Sequence, residues 1–87
     1  MKIKKGFILK EIAGSYVVVA VGPALKNFNG AISLNGVGAT LWKALENGNT
    51  VEGLINALTD EYDVGYDKAK LDVEKFIGKL KEANLVE

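Results

Sequence analysis

Residues 31–62 carry the pattern that most constrains the fold, because a short apolar run there leads directly into two segments with helical spacing of apolar residues. The first apolar stripe recurs at i, i+3, i+4 and i+7 and comprises Gly38, Leu41, Trp42 and Leu45. The second stripe also has helical spacing and comprises Val51, Leu54, Ile55, Leu58 and Tyr62. Two short amphipathic helices in succession must bury these stripes against each other and against the rest of the chain.

Capping residues mark the boundaries of both helices. Asn35 precedes the first stripe, and its side-chain oxygen can accept an N–H of the first helical turn. Residues 47–49 tolerate positive φ and end that helix, and Thr50 then caps the second helix, with Glu52 in its first turn. A turn this tight between two amphipathic helices predicts a helix-turn-helix.

The chain before this region is predicted to form strands. Phe7–Ile12 and residues 16–21 are rich in apolar and β-branched residues, which predicts two strands joined at residues 13–15. Residues 22–30 are predicted to form a loop, because they hold the only proline, Pro23, and end in the turn signal Asn29-Gly30. Ala31–Leu34 is then predicted as a short third strand.

A third helix is predicted from Asp67, as its N-cap, to about Ala83. Its apolar stripe comprises Ala69, Val73, Phe76, Ile77 and Leu80. The expected fold is therefore α+β, a winged helix-turn-helix-like domain in which a three-stranded antiparallel sheet is followed by three helices. We expect a single domain over residues 1–87, with residues 1–5 as a loose N-terminus.

The composition excludes several kinds of site. The chain of 87 residues has no cysteine and no histidine, so disulfides, thiolate metal sites and histidine-based catalysis are all absent. The carboxylates lack metal-ligand spacing, and we therefore expect no catalytic residues, no metal and no cofactor. No apolar run is long enough to span a membrane, and a cytoplasmic protein without membrane contact is expected.

The distribution of charge bears on the choice of partner. Lysines and acidic residues number 11 each, but residues 46–67 are acidic and contain no lysine, and arginine is absent from the chain. A DNA-binding winged-helix regulator, which the helix-turn-helix suggests, needs a dense basic face on its second helix. DNA binding is therefore kept only as the alternative function, and we expect no nucleic-acid partner.

A peptide-binding module is the preferred hypothesis. A short third strand that leads straight into a helix is expected to leave one sheet edge with unpaired N–H and C=O groups. Such an edge can take up an incoming peptide as an additional strand, while alternate peptide side chains enter a groove beside a helix. Leu71 lies off the predicted core stripe, so it is either an ordinary exposed leucine or part of such a groove.

The order and spacing of these features resemble those of the PqqD family over most of the chain, from about Phe7 to Val86. The residues that carry the resemblance are Leu34-Asn35, Ala39, Leu41-Trp42, Gly48, Thr50-Val51, Leu58, Tyr62-Asp63-Val64, Asp72-Val73, Phe76-Ile77, Leu80 and Leu85-Val86. Asn84 departs from the family pattern, which often has glycine before the final apolar pair. Asparagine is the next-best residue for a left-handed backbone, so this change is compatible with the fold.

The resemblance implies the fold and the role of a recognition element for ribosomal precursor peptides. In that role the leader segment of a precursor peptide docks beside the third strand and the third helix, and a modifying enzyme, typically a radical SAM maturase, acts on the presented peptide. The implied peptide-binding residues are Ala31, Ile32, Ser33 and Leu34 of the strand and Lys68, Leu71, Asp72 and Lys75 of the helix. The module would be non-catalytic, and either a monomer or a domain-swapped dimer.

Overall fold

The structure is a computed structural model that describes residues 1–26 and 30–87. Its strands are β1 (Phe7–Ile12), β2 (Ser15–Ala20) and β3 (Ala31–Leu34), with a short 3₁₀ helix at Gly22–Lys26. Its α-helices are α1 (Gly36–Leu45), α2 (Val51–Glu61) and α3 (Tyr66–Glu82). The described residues therefore confirm the predicted α+β fold, in which strands precede helices. Asn29 of the predicted Asn29-Gly30 turn lies outside them.

The strands form an antiparallel sheet in the order β1-β2-β3, so β2 is the central strand. Two residues, Ala13 and Gly14, connect β1 to β2, and both have positive φ, 51° and 82° respectively. This is the backbone geometry of the tight hairpin turns that match the natural twist of paired strands. β2 begins at Ser15, one residue earlier than predicted, because this turn needs only two residues.

The helices bury their apolar stripes in one core. Trp42 is 1% exposed and Phe76 is 7% exposed, and both belong to the same buried cluster. The predicted stripes of α1 and α3 are confirmed, since every member is buried. The α2 stripe is confirmed at Leu54, Ile55 and Leu58, whereas Val51 is 43% exposed and Tyr62 is half-buried at the C-cap, beyond the end of the helix. Val51 is the first residue of α2, at the exposed N-terminal end of the helix.

Side-chain caps fix the first two helices as predicted. Asn35 Oδ1 accepts a hydrogen bond from the Gly38 N–H at 2.8 Å, and Thr50 Oγ1 accepts one from the Gly53 N–H at 3.0 Å. The predicted cap of α3 is wrong, because the helix begins at Tyr66 and Asp67 lies within its first turn. Acidic residues are favourable both at the N-cap and in the first turn, so the sequence signal does not separate the two positions.

The N-terminus is ordered, which corrects the expectation that residues 1–5 are loose. Ile3 is 6% exposed and forms a β-bridge with Val86, and the Lys4 N–H donates to the Leu85 carbonyl at 2.8 Å. Burial of the Ile3 side chain offsets the entropy cost of ordering a terminal segment. Asn84, just before this bridge, has a φ of 61° and so adopts the left-handed conformation expected of it.

Candidate functional site

Strand β3 lies at an edge of the sheet. It pairs with β2 on one side, and no other described strand pairs with its outer side. An unpaired strand edge presents its backbone N–H and C=O groups to any chain that approaches in an extended conformation. Which residues of β3 present these groups outward follows from the register of the sheet.

The alternation of hydrogen bonds in the sheet points the backbone of Ala31 and Ser33 outward. In an antiparallel pair, the backbone N–H and C=O groups of every second residue point towards the partner strand, and those of the residues between them point away from it. The Val21 N–H donates to the Gly6 carbonyl at 2.7 Å, so Val21, Val19 and Val17 face β1. Val18 and Tyr16 then face β3 and bond to their register partners, Ile32 and Leu34.

Ala31 and Ser33 alternate with those partners, and their N–H and C=O groups therefore point away from β2. A second observation agrees with this assignment. Lys79 of α3 reaches the outer side of β3, where its Nζ donates to the Ser33 carbonyl oxygen at 3.3 Å. The open edge consequently carries two residues whose main-chain groups are available to an added strand.

A groove of about 450 Å³ adjoins this edge, between β3, the start of α1 and one face of α3. We name it the β3–α3 groove. Its lining comprises Ser33, Leu34, Asn35, Val37, Gly38, Leu41, Lys68, Asp72, Lys75, Phe76 and Lys79. An apolar surface beside an open strand edge is the arrangement that a strand-adding peptide needs, because backbone pairing and side-chain burial then occur together.

The lining divides into an apolar part and a charged part. Leu34, Val37, Leu41 and Phe76 supply the apolar part, whereas α3 supplies three lysines and one aspartate. Lys68 Nζ and Asp72 Oδ1 form an ion pair at 2.7 Å, one helical turn apart on α3. The charged part therefore has a net positive charge.

The junction between β3 and α1 holds the edge in place. Asn35 follows β3 directly and caps α1, so the strand and the helix form one continuous unit. Gly38 lies in the first turn of α1, and a Cβ atom there would stand 3.3 Å from Leu34 Cβ and 3.3 Å from Asn35 Oδ1. A larger residue would therefore require Leu34 or Asn35 to shift by a few tenths of an ångström.

Five of the residues proposed from the sequence line the β3–α3 groove, namely Ser33, Leu34, Lys68, Asp72 and Lys75. Ala31 and Ile32 belong to the edge strand but not to the groove lining. Leu71 is 54% exposed and is also outside the lining. At about 100° per residue, Leu71 lies roughly 40° beyond Lys75 around the helix, on the side away from the core.

Sequence reasoning missed six further lining residues, Asn35, Val37, Gly38, Leu41, Phe76 and Lys79. Phe76 and Lys79 share a face of α3 with Lys68 and Asp72, since they follow them at helical spacing. That spacing is visible in the sequence. The rotation of α3 relative to β3, which selects this face, is not.

Three further properties of the described residues concern metal binding, membrane insertion and titration. Among residues 1–26 and 30–87, no group of three or more acidic residues could hold a metal ion. Within the same ranges, no helix is long and apolar enough to cross a membrane. The pKa of Tyr66 is raised, mainly because its hydroxyl donates a hydrogen bond to the carboxylate of Glu52, which links α3 to α2.

A family model described as coenzyme PQQ synthesis protein D (PqqD) matches residues 15–86 of this chain. The chain belongs to the PqqD family. The match spans the edge strand, the β3–α3 groove and all three helices of this PqqD-family protein. It confirms the resemblance found in the sequence. No curated protein sequence matches the chain significantly.

Two solved structures share the fold of this PqqD-family chain. One is TbiB1 in complex with the TbiA(beta) leader peptide, with 25% identity, a TM-score of 0.78 and coverage of 100% of this chain and 95% of TbiB1. The other is lasso peptide synthetase B1 complexed with the leader peptide, with 20% identity, a TM-score of 0.76 and coverage of 99% and 95%. The second likeness concerns the fold alone.

Proposed function

We propose that this protein is a non-catalytic recognition module that binds the leader segment of a ribosomally made precursor peptide. The peptide adds as a strand to β3 and is presented to a modifying enzyme, such as a radical SAM maturase, in the cytoplasm. The observation that carries the proposal is the open edge of β3, where the main-chain groups of Ala31 and Ser33 face outward beside the β3–α3 groove.

Membership of the PqqD family supports the same function. So does TbiB1, whose fold matches this chain over its whole length and which is bound to a leader peptide. The DNA-binding alternative has less support. α2, the second helix of the helix-turn-helix, carries Glu52, Asp60 and Glu61 and no lysine, so it would repel phosphates.

Each proposed site residue has a separate physical role. Ala31 and Ser33 form main-chain hydrogen bonds with the peptide. Ile32 pairs with Val18 and so holds β3 against β2. Leu34 forms part of the apolar lining that receives alternate peptide side chains.

The α3 residues line the opposite wall. Lys68, Asp72 and Lys75 contact the peptide from the helix. Leu71 lies beyond Lys75 on the outer side of the helix and contacts a peptide only where it extends past the groove. We expect one peptide per module, whether the protein is a monomer or a domain-swapped dimer.

The proposal is tested by a titration with synthetic candidate leader peptides, followed by amide NMR. Strand addition should slow hydrogen exchange at the Ala31 and Ser33 amides, because both gain a main-chain partner. Leu9 and Glu11 are the matched control. They have outward-facing amides on the opposite edge of the sheet, as the register of β1 with β2 requires.

Unchanged exchange at Ala31 and Ser33 in a saturated complex would contradict strand addition at β3. Protection at Leu9 and Glu11 instead would place the peptide on β1. A leader that does not bind at all, together with tight and salt-sensitive binding of duplex DNA, would favour the regulator.

A further inference from the structure

Within residues 1–26 and 30–87, two lysines of the β3–α3 groove have no acidic partner. Lys68 is paired with Asp72 at 2.7 Å, whereas Lys75 and Lys79 have no carboxylate within salt-bridge distance in the part of the chain that the structure describes. Both stand on the groove face of α3, one helical turn apart. The wall opposite β3 therefore offers positive charge that the protein itself does not neutralise.

Lys79 also occupies a position that strand addition must change. Its Nζ donates to the Ser33 carbonyl oxygen at 3.3 Å, and this carbonyl faces the open edge. An added strand would direct one of its own N–H groups to the same oxygen. The ammonium group must then share or give up this acceptor as the peptide covers it from water, and an uncompensated charge there would weaken the complex.

We infer that the segment bound by this groove carries an acidic side chain that pairs with Lys79 and Lys75. This inference rests on the proposed function and specifies its ligand. As a peptide N–H replaces Lys79 at the Ser33 carbonyl, the released ammonium binds a peptide carboxylate directed towards α3. The ligand class is thus an extended segment in which an aspartate or glutamate is flanked, at alternate positions, by apolar side chains.

The apolar lining accounts for the flanking residues. In an added strand, side chains at every second position point to the same face. Those on the helix side meet Leu34, Val37 and Phe76 in the groove, and the acidic side chain lies towards the lysines. A nucleic acid would suit this surface less well, since two lysines beside an apolar lining neutralise few phosphates.

A selection from a library of short random peptides tests the inference without knowledge of the natural ligand. The wild-type protein is compared with the Lys75→Glu/Lys79→Glu variant and with a Lys70→Glu/Lys81→Glu control. Lys70 and Lys81 are exposed on α3 but do not line the groove, so the control changes the net charge and the helix charge equally.

The wild type and the control should both enrich peptides with an aspartate or glutamate at a fixed spacing from apolar residues. The Lys75→Glu/Lys79→Glu variant should instead enrich lysine or arginine at that position. Replacing the acidic residue of an enriched peptide by glutamine should weaken binding to the wild type by about tenfold and leave binding to the variant no weaker. If the reversal variant does not melt cooperatively, Lys75→Gln/Lys79→Gln replaces it and should lose the acidic preference.

The possible failures are distinguishable. If the wild type enriches no peptide, the proposed function fails. If it enriches apolar peptides without an acidic preference, or if the reversal variant keeps that preference, peptide binding stands and the pairing with Lys75 and Lys79 is refuted. Competition by a single-stranded oligonucleotide at equal concentration would overturn the inference in favour of nucleic acid.

Discussion

Removal of one outward-facing amide at Ser33 should separate peptide binding from folding. Ser33→Pro deletes the N–H that faces the open edge and places the proline ring where an added strand would lie. No main-chain bond to β2 is lost, because Ser33 and its register partner Val17 form a non-hydrogen-bonded pair. Edge strands tolerate proline in this orientation, so the free energy of unfolding should fall by no more than about 1 kcal/mol.

The loss of affinity follows from the bonds that the peptide can no longer make. A main-chain hydrogen bond contributes about 0.5–1.5 kcal/mol, and the ring also hinders the neighbouring pair at Ala31. The expected loss is about 1–3 kcal/mol, which corresponds to a dissociation constant between about fivefold and about 150-fold higher. Calorimetric titration with the leader segment and a thermal melt of the same sample measure both quantities.

Two further proline variants make the comparison strict. Glu11→Pro deletes an outward amide on the opposite edge of the sheet and should leave the affinity unchanged. Ile32→Pro removes an inward amide that bonds to Val18, a residue with 0% exposure, and should cost about 1–3 kcal/mol of stability. If Ser33→Pro binds the leader as tightly as the wild type, or destabilises the fold as much as Ile32→Pro, the assignment of the open edge is wrong.

Four other predictions concern stability and the limits of the site. Trp42→Ala should cost about 3–5 kcal/mol, since the indole is 1% exposed, and a cooperative melt near the wild-type midpoint would refute its place in the core. Ala13→Asn should raise stability by about 1 kcal/mol in a denaturant titration, because asparagine tolerates the positive φ of 51° better than alanine, whereas an unchanged midpoint would contradict strain there. Leu71→Asp should leave stability within about 0.5 kcal/mol and weaken the leader only if the peptide extends past the groove, so a large loss of stability would return this residue to the core. The hydrogen bond from Tyr66 to Glu52 raises the pKa of Tyr66 above its ordinary value of 10.0. The stability that this hydrogen bond contributes is therefore complete below pH 10.0 and is lost as the pH rises through the raised pKa. Tyr66→Phe should abolish this alkaline loss of stability, as denaturant titrations across the same pH range would show.

The local features of this protein could be predicted from the sequence because their causes lie within a few residues. The Asn35 and Thr50 caps act over three residues, and the apolar stripes of α1 and α3 depend on helical spacing alone. The strand Ala31–Leu34 was also bounded by local signals, a glycine before it and a cap after it. These elements fix the order of strands and helices, and with it the fold.

The features that were not predicted depend on contacts between distant parts of the chain. Ile3 forms a β-bridge with Val86, at the other end of the sequence, and no local sequence pattern predicts that pairing. Lys79 meets Ser33 across a separation of 46 residues. Helical spacing limits the groove face of α3 to a few candidates, but the rotation of the packed helix decides between them, which is why Lys79 was missed and Leu71 was included.

The pairing of the two ends of the chain has a consequence for how this domain can be joined to others. The bridge between Ile3 and Val86, together with the bond from the Glu87 N–H to the Lys2 carbonyl at 2.9 Å, brings the first and last residues side by side. No residue of either end lines the β3–α3 groove. A loop of a larger enzyme could therefore accept the whole domain as an insertion, with entry and exit points a few ångströms apart, and the open strand edge would stay unobstructed.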